Sequence, residues 1–159
     1  IVGDLDSIPS CFRERYADRI NIVEDQEIND LTKSVRFAHR SGEQEVLILG
    51  ATGLREDHTL GNISLLMDYA PLFRRIEMLS DYGIFTPLRQ TTTLASDPGT
   101  QVSLFSLAPS GTISTTGLRW PIRDRRLTAW WQGTLNEATG DNFTVTLSPE
   151  ARVIVYRTF

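Results

Sequence analysis

The sequence predicts an α/β domain on a parallel sheet, followed by a small all-β sandwich, and three observations predict it. Over the first half, short apolar runs of strand length alternate with stretches of helical periodicity. The loops that close those runs carry glycines and clustered carboxylates, as the ligand edge of an open α/β sheet does. From Gln90 onward the helical periodicity disappears, and short alternating runs separated by turn signals replace it. The expected division is 1–86 for the α/β domain, with its N-terminal part missing, and 87–159 for the sandwich. A chain of 159 residues with 40% hydrophobic residues can bury a core of this kind.

Residues 1–9 form the first informative piece. Ile1-Val2 ends at Gly3, and Asp4 and Asp6 follow it two positions apart. Without an initiator methionine, and with a strand end running straight into Gly3-Asp4, the sequence is expected to be a fragment. Asp4 and Asp6 would lie beyond the carboxyl end of a strand, and hard oxygen ligands there suit Mg²⁺. Asp and Ser are also ordinary turn formers ahead of Pro9. A short helix over 12–17 and a short strand over 20–23 come next.

A second acidic loop, from Glu24 to Asp30, leads into a helix on which Leu31, Val35 and Ala38 share one face. Asn29 or Asp30 is its expected N-cap. Parallel neighbouring strands would open both acidic loops on one sheet edge. Asp30 and Lys33 stand about one helical turn apart, so they either share a site or pair on the surface. Asp25 and Glu27 read as capping and solvated charge.

Residues 45–49 are a nearly unbroken apolar run, the pattern of a strand buried on both faces. Leu60, Ile63, Leu66 and Met67 repeat at helical spacing after it. Gly50-Ala51-Thr52-Gly53 therefore occupies a strand-to-helix crossover, where backbone N–H groups and a helix N-terminus can face an anion. The glycine spacing alone lacks the Lys-Ser/Thr of a P-loop and the third glycine of a dinucleotide fingerprint. Arg55, Asp57, His58 and Asn62 add polar groups to the same crossover.

In the β part, Gly117-Leu118-Arg119-Trp120-Pro121 is the unusual segment. Pro121 pushes Trp120 towards an extended conformation, and Gly117 lets the strand bend. An exposed indole there can stack on a flat heterocycle. Trp120, Trp130 and Trp131 are equally the large residues with which a small sandwich would fill its core.

Charge and cysteine usage narrow the function class. A net charge of −4 argues against a nucleic-acid binder, which would show a basic face. Cys11 is the only cysteine, so no internal disulfide can form, and a cytoplasmic location is expected. No apolar run approaches membrane-spanning length, so no membrane partner is expected.

Taken in register, these motifs resemble the thiamin pyrophosphokinase (thiamin diphosphokinase) family. The resemblance rests on Gly3-Asp4-Leu5-Asp6-Ser7; on Asp25-Gln26 through Asp30, Thr32 and Lys33; on Gly50 through Gly53, Arg55, Asp57, His58 and Asn62; and on Ser114 through Pro121 with Asn136. It departs at Thr134-Leu135, where the family commonly has serines, and at the front, where the family's opening strand and its Asp-Gly-Gly-like loop are absent. It implies a homodimer with its sites at the subunit interface, which transfers pyrophosphate from ATP to the hydroxyl of thiamin and releases AMP. It further implies that Asp4, Asp6 and Asp30 are catalytic and hold Mg²⁺, with Asp4 or Asp30 accepting the hydroxyl proton. Gln26, Thr32, Lys33, Gly53, Arg55, Asp57, His58 and Asn62 would bind ATP, and Ser7, Ser114, Trp120 and Asn136 would bind thiamin. Asp4-Leu5-Asp6-Ser7 after an apolar strand also looks like the opening of a haloacid-dehalogenase-like phosphatase, although the later Asp-Asp pair of that family is missing. A non-catalytic nucleotide-sensing module is the third reading.

Overall fold

The computed structural model describes residues 1–6 and 8–159, and they form two compact units, Ile1–Gln44 and Glu45–Phe159. In the first unit, β1 (Val2–Gly3) pairs in parallel with β2 (Asn21–Ile22), Val2 opposite Asn21 and Gly3 opposite Ile22. That register brings the Asp4 loop and the 24–29 loop to the same edge of the pair, as parallel strands require. Between the strands lies α1 (Ser10–Arg15), which starts two residues earlier than the sequence suggests because Pro9, at φ −57°, already has helical φ at its N-cap. The second helix, α2 (Asp30–Arg40), is capped by Asn29, whose side chain accepts the Thr32 N–H at 2.9 Å. His39 and Arg40 occupy its last turn, where positive charge favours the helix dipole.

The second unit is built on a six-stranded sheet in the order β3-β4-β5-β11-β7-β9. Its strands are β3 (Glu45–Leu49), β4 (Arg75–Leu79), β5 (Gly83–Leu88), β7 (Gln101–Ser106), β9 (Asn136–Glu137) and β11 (Val153–Thr158). Only β3 and β4 pair in parallel, and α3 (Glu56–Tyr69) is the crossover between them. The Ser80–Tyr82 connection to β5 is far too short for a crossover, so β5 turns back antiparallel and carries the sheet into the β-rich half. The parallel pairing expected of the first half is thus confined, among the described residues, to two strand pairs, and the other pairs of named strands are antiparallel. A second sheet, β6-β10-β8, consists of β6 (Thr92–Ala95), β8 (Ile113–Thr116) and β10 (Asn142–Leu147).

The core contains inward-facing residues of both sheets, among them Val102, Leu104, Ile113, Phe143, Val145, Val153 and Val155. Gly111 and Gly133 lie where a Cβ would come within 2.4 Å of the Ala151 backbone and 2.3 Å of the Leu104 carbonyl, so only glycine fits either place. The tryptophans do not fill this core. Trp120, Trp130 and Trp131 are all exposed, because Phe143 and the aliphatic side chains already occupy the interior. Nor is β3 buried on both faces: it is the edge strand of its sheet, and Leu47 and Leu49 are exposed. Among the described residues, no helix is long and apolar enough to cross a membrane.

Candidate active site

In the first unit the candidate residues converge on Lys33. The turn of α2 that begins at Asn29 places Asp30 and Lys33 on the side facing the end of β1. Lys33 Nζ donates to Asp4 Oδ2 and to Asp30 Oδ1, both at 3.1 Å, and its side chain is only 2% exposed. Gly3, at φ +151°, makes the approach possible, since a Cβ there would lie 3.3 Å from Asp30 Oδ1. The second Asp4 oxygen accepts the Asp6 N–H at 3.2 Å, and Gln26 Nε2 donates to Oδ2 at 3.3 Å. Asp4 is therefore fully engaged. The Lys33 hydrogen bond, with the Asp6 N–H behind it, holds its carboxyl below the usual aspartate range. Desolvation pulls the Lys33 ammonium down, but its bonds to Asp4 and Asp30 outweigh that and raise it.

Asp30 commits one oxygen to Lys33, and its side chain is 63% exposed. Asp6 is exposed. Among the described residues, no three His, Cys, Asp or Glu side chains converge as a ready-made metal cage. A cation carried in on a polyphosphate needs only one or two carboxylates, and Asp6 and Asp30 are exposed hard donors of that kind. Thr32 is buried, and its N–H serves the Asn29 cap. Ser7 lies outside the described residues.

In the second unit, the glycine loop has the backbone its sequence demands. Gly50 (φ +68°), Gly53 (φ +90°) and Leu54 (φ +61°) are left-handed, and Leu54 is fully exposed. The Gly53 N–H donates to Thr59 Oγ1 at 3.2 Å, and Asn62 Nδ2 holds the Ala51 carbonyl at 2.9 Å. Asn62 thereby shapes the loop from within α3. Arg55 pairs with Asp57 through Nε at 3.1 Å and through a second, shorter contact, and the His58 N–H reaches Asp57 Oδ1 at 2.8 Å. The Arg55 pairing keeps the Asp57 carboxyl below its usual range. The loop thus presents the exposed Arg55 guanidinium and the first turn of α3 together.

The Trp120 segment forms a third cluster. Asn136 is buried, and its amide grips the Trp120 backbone twice: Nδ2 donates to Trp120 O at 2.7 Å and Oδ1 accepts Trp120 N–H at 3.1 Å. Oδ1 also takes the Glu137 N–H at 2.9 Å. The guanidinium of Arg119 sits 5.1 Å from the Trp120 ring centroid and pairs with Glu137 at 3.4 Å. Ser114 Oγ accepts the Asp124 N–H at 2.8 Å. Gly117, at φ +77°, packs so closely that a Cβ would meet Asn142 O at 2.8 Å, which accounts for the bend before Trp120. A cavity of about 300 Å³ opens beside the indole, lined also by Pro121, Leu135, Asn136, Arg123 and Arg125. Sequence reasoning passed over those two arginines. The Arg123-Asp124-Arg125-Arg126 run just after Pro121-Ile122 was the signal available.

The comparisons with known proteins agree along the whole chain. The thiamin pyrophosphokinase catalytic-domain model matches residues 1–79, and the thiamin pyrophosphokinase substrate-binding-domain model matches residues 83–156. Thiamine pyrophosphokinase 1 of rice (Oryza sativa subsp. japonica) is 37% identical over 138 residues, covering 77% of this chain and 52% of the relative. Thiamine pyrophosphokinase 1 of Arabidopsis thaliana is 30% identical over 143 residues, covering 80% and 53%. The chain therefore spans about half the length of the curated relatives it matches. The same fold occurs in the crystal structure of thiamine pyrophosphokinase from Bacillus subtilis, with a TM-score of 0.83 at 21% identity, covering 99% of this chain and 77% of that one. The Candida albicans thiamin pyrophosphokinase superposes with a TM-score of 0.83 at 18% identity, covering 100% and 72%. With two models of one family matching nearly end to end, and with the Asp4, glycine-loop and Trp120 motifs in the order the resemblance requires, the chain belongs to the thiamin pyrophosphokinase family.

Proposed function

We propose that this chain carries the catalytic and substrate-binding parts of a thiamin diphosphokinase, which transfers the pyrophosphoryl group of ATP to the hydroxyl of thiamin and releases AMP. Family membership supports this reading, and the single observation that carries it is Lys33, buried between Asp4 and Asp30 at the end of a parallel strand pair. Neither a phosphatase nor a sensing module is favoured by the family match.

In this reading the first 86 residues bind ATP and residues 87–159 hold thiamin, a division near the point where the two family models meet. Lys33 and Asp4 form a fixed, mutually neutralised ion pair, with Gln26 steadying Asp4. The thiamin hydroxyl oxygen attacks the β-phosphorus of ATP. The bond from that phosphorus to the α,β-bridging oxygen breaks, AMP leaves with the electron pair, and the hydroxyl proton passes to Asp30. Asp30 suits that role better than Asp4, because Asp4 has both oxygens engaged and a lowered proton affinity. A Mg²⁺ ion carried on the ATP phosphates, with the exposed Asp6 carboxylate as its protein ligand, would neutralise developing phosphate charge and leave the second Asp30 oxygen for the proton. Arg55, His58 and the Gly53 loop orient the polyphosphate, while Thr32, Asp57 and Asn62 keep those elements in shape. Trp120 offers its exposed ring to thiamin, held by Asn136, with Ser114 anchoring the turn behind it. Little covalent chemistry is asked of the protein, and positioning supplies most of the acceleration.

We further propose a cytoplasmic homodimer whose sites draw on both subunits. At thiamin well below the wild-type KM, where both variants are impaired, an Asp6→Asn protein mixed with a Trp120→Ala protein should exceed the summed activity of the two after subunit exchange, and no such gain would refute shared sites. Incubation of the full chain with ATP, Mg²⁺ and thiamin should yield AMP. Release of inorganic phosphate would point to a phosphatase, and no turnover to a sensor.

A further inference from the structure

A cavity of about 600 Å³ opens at the end where β3 and β4 begin, between the six-stranded sheet and β6. The glycine loop follows the other end of β3, five residues away, which puts the cavity roughly 15 Å from that loop. Its floor is a cross-strand network on one face of the sheet. Glu77 accepts from Arg75 Nε at 2.8 Å and from the Thr86 hydroxyl at 2.8 Å, and faces Arg157 Nη2 at 3.6 Å. Arg157 reaches across to the second sheet, where Nη1 donates to the Ala95 carbonyl at 2.7 Å. Its Nε is buried with no acceptor among the described residues. Burial lowers the Arg157 guanidinium from its usual range, Glu77 opposes that, and Arg75 adds to it.

The charges lining this cavity do not balance. Arg74 is paired with Glu45, while Arg75, Arg89 and Arg157 share the lining with a single carboxylate, Glu77, which Arg75 and Arg157 approach directly. Two positive charges are left, which a phosphate monoester dianion would balance and a monocarboxylate would not. Guanidinium forks suit phosphate oxygens, and the Phe73 and Leu94 walls give an organic group an apolar surface. We propose that this cavity is an anion site for a small phosphate monoester, separate from the candidate active site.

Calorimetric titration of the full chain with ribose 5-phosphate, and separately with inorganic phosphate, at matched ionic strength tests this. Saturable binding of ribose 5-phosphate at one site is expected, weakened about tenfold in Arg75→Gln and in Arg89→Ser, both on the exposed rim. Arg55→Gln, in the glycine loop, should leave it unchanged, which separates this site from the proposed ATP site. If inorganic phosphate binds as tightly as the monoester, the organic half of the proposal is wrong. No saturable binding, binding indifferent to both rim changes, or binding lost in Arg55→Gln would each overturn it.

Discussion

Replacing Asn136 by Ala should damage both stability and thiamin binding, and the size of the damage follows from three hydrogen bonds. The Asn136 amide holds the Trp120 N–H, the Trp120 carbonyl and the Glu137 N–H. A buried backbone group left without a partner costs about 1–3 kcal/mol. Water reaches part of this turn, because Trp120 is 55% exposed, so we count two of the three groups at about 1–2 kcal/mol each, the lower part of that range, and expect a loss of about 2–4 kcal/mol. For a chain of this size, that lowers the melting temperature by roughly 5–15 °C. With its backbone released, the indole no longer has a fixed place, and the KM for thiamin should rise about tenfold while turnover at saturation changes little. Asn136→Asp keeps an acceptor for both N–H groups and loses only the donor to the Trp120 carbonyl, so it should fall between Ala and wild type. Differential scanning calorimetry with steady-state kinetics reads both effects. An Asn136→Ala protein that melts within a degree of wild type and keeps its KM would refute the view that this amide positions Trp120.

Three further outcomes are expected. Trp120→Ala should raise the KM for thiamin roughly two- to tenfold or more with a nearly unchanged melting temperature, since an exposed ring leaves no cavity; early melting with normal binding of thiamin would contradict stacking. Asp6→Asn and Asp30→Asn should each reduce turnover by about two orders of magnitude at saturating Mg²⁺, and near wild-type rates in both would remove them from the chemistry. The Lys33 cluster should set a pH window. Asp4 is lowered from 3.8, so its contribution to stability is present above that value and is lost as pH falls through its lower folded value. Lys33 is raised from 10.5, so its contribution is present below that value and is lost as pH rises through its higher folded value. The stability difference between wild type and Lys33→Met should therefore be flat between those limits and shrink beyond them, as chemical denaturation across pH can show; a difference that grows at either extreme would contradict the pairing.

Much of this was legible in the sequence where local rules decide the outcome. The 45–49 strand and the helix after Asn29 were set by hydrophobic period and capping chemistry, and both stand where the pattern put them. The glycine loop declared itself because left-handed backbone at Gly50 and Gly53 excludes most other residues. Periodicity could not reveal which strands would become neighbours. The Ser80–Tyr82 turn sends β5 back antiparallel and makes one sheet of what reads as two patterns, and β3 ends at an edge although its apolar run suggests a centre. The site was legible as a set of residue types, and much less so as a division of labour. Nothing in the spacing told that Lys33 would be buried as the link between Asp4 and Asp30. Nor did it tell that Asn62 and Asn136 would turn their amides to backbone carbonyls, because those contacts depend on loops folding back over 11 and 16 residues.

The central claim is that both terminal phosphates of ATP move together onto thiamin. Supplying the full chain with Mg²⁺, thiamin and ATP labelled at the γ-phosphorus, and following label and nucleotide in one reaction, tests it most directly. The account predicts label in thiamin diphosphate, matched one for one by AMP. Label in inorganic phosphate, or in thiamin monophosphate with ADP as the nucleotide product, would contradict it.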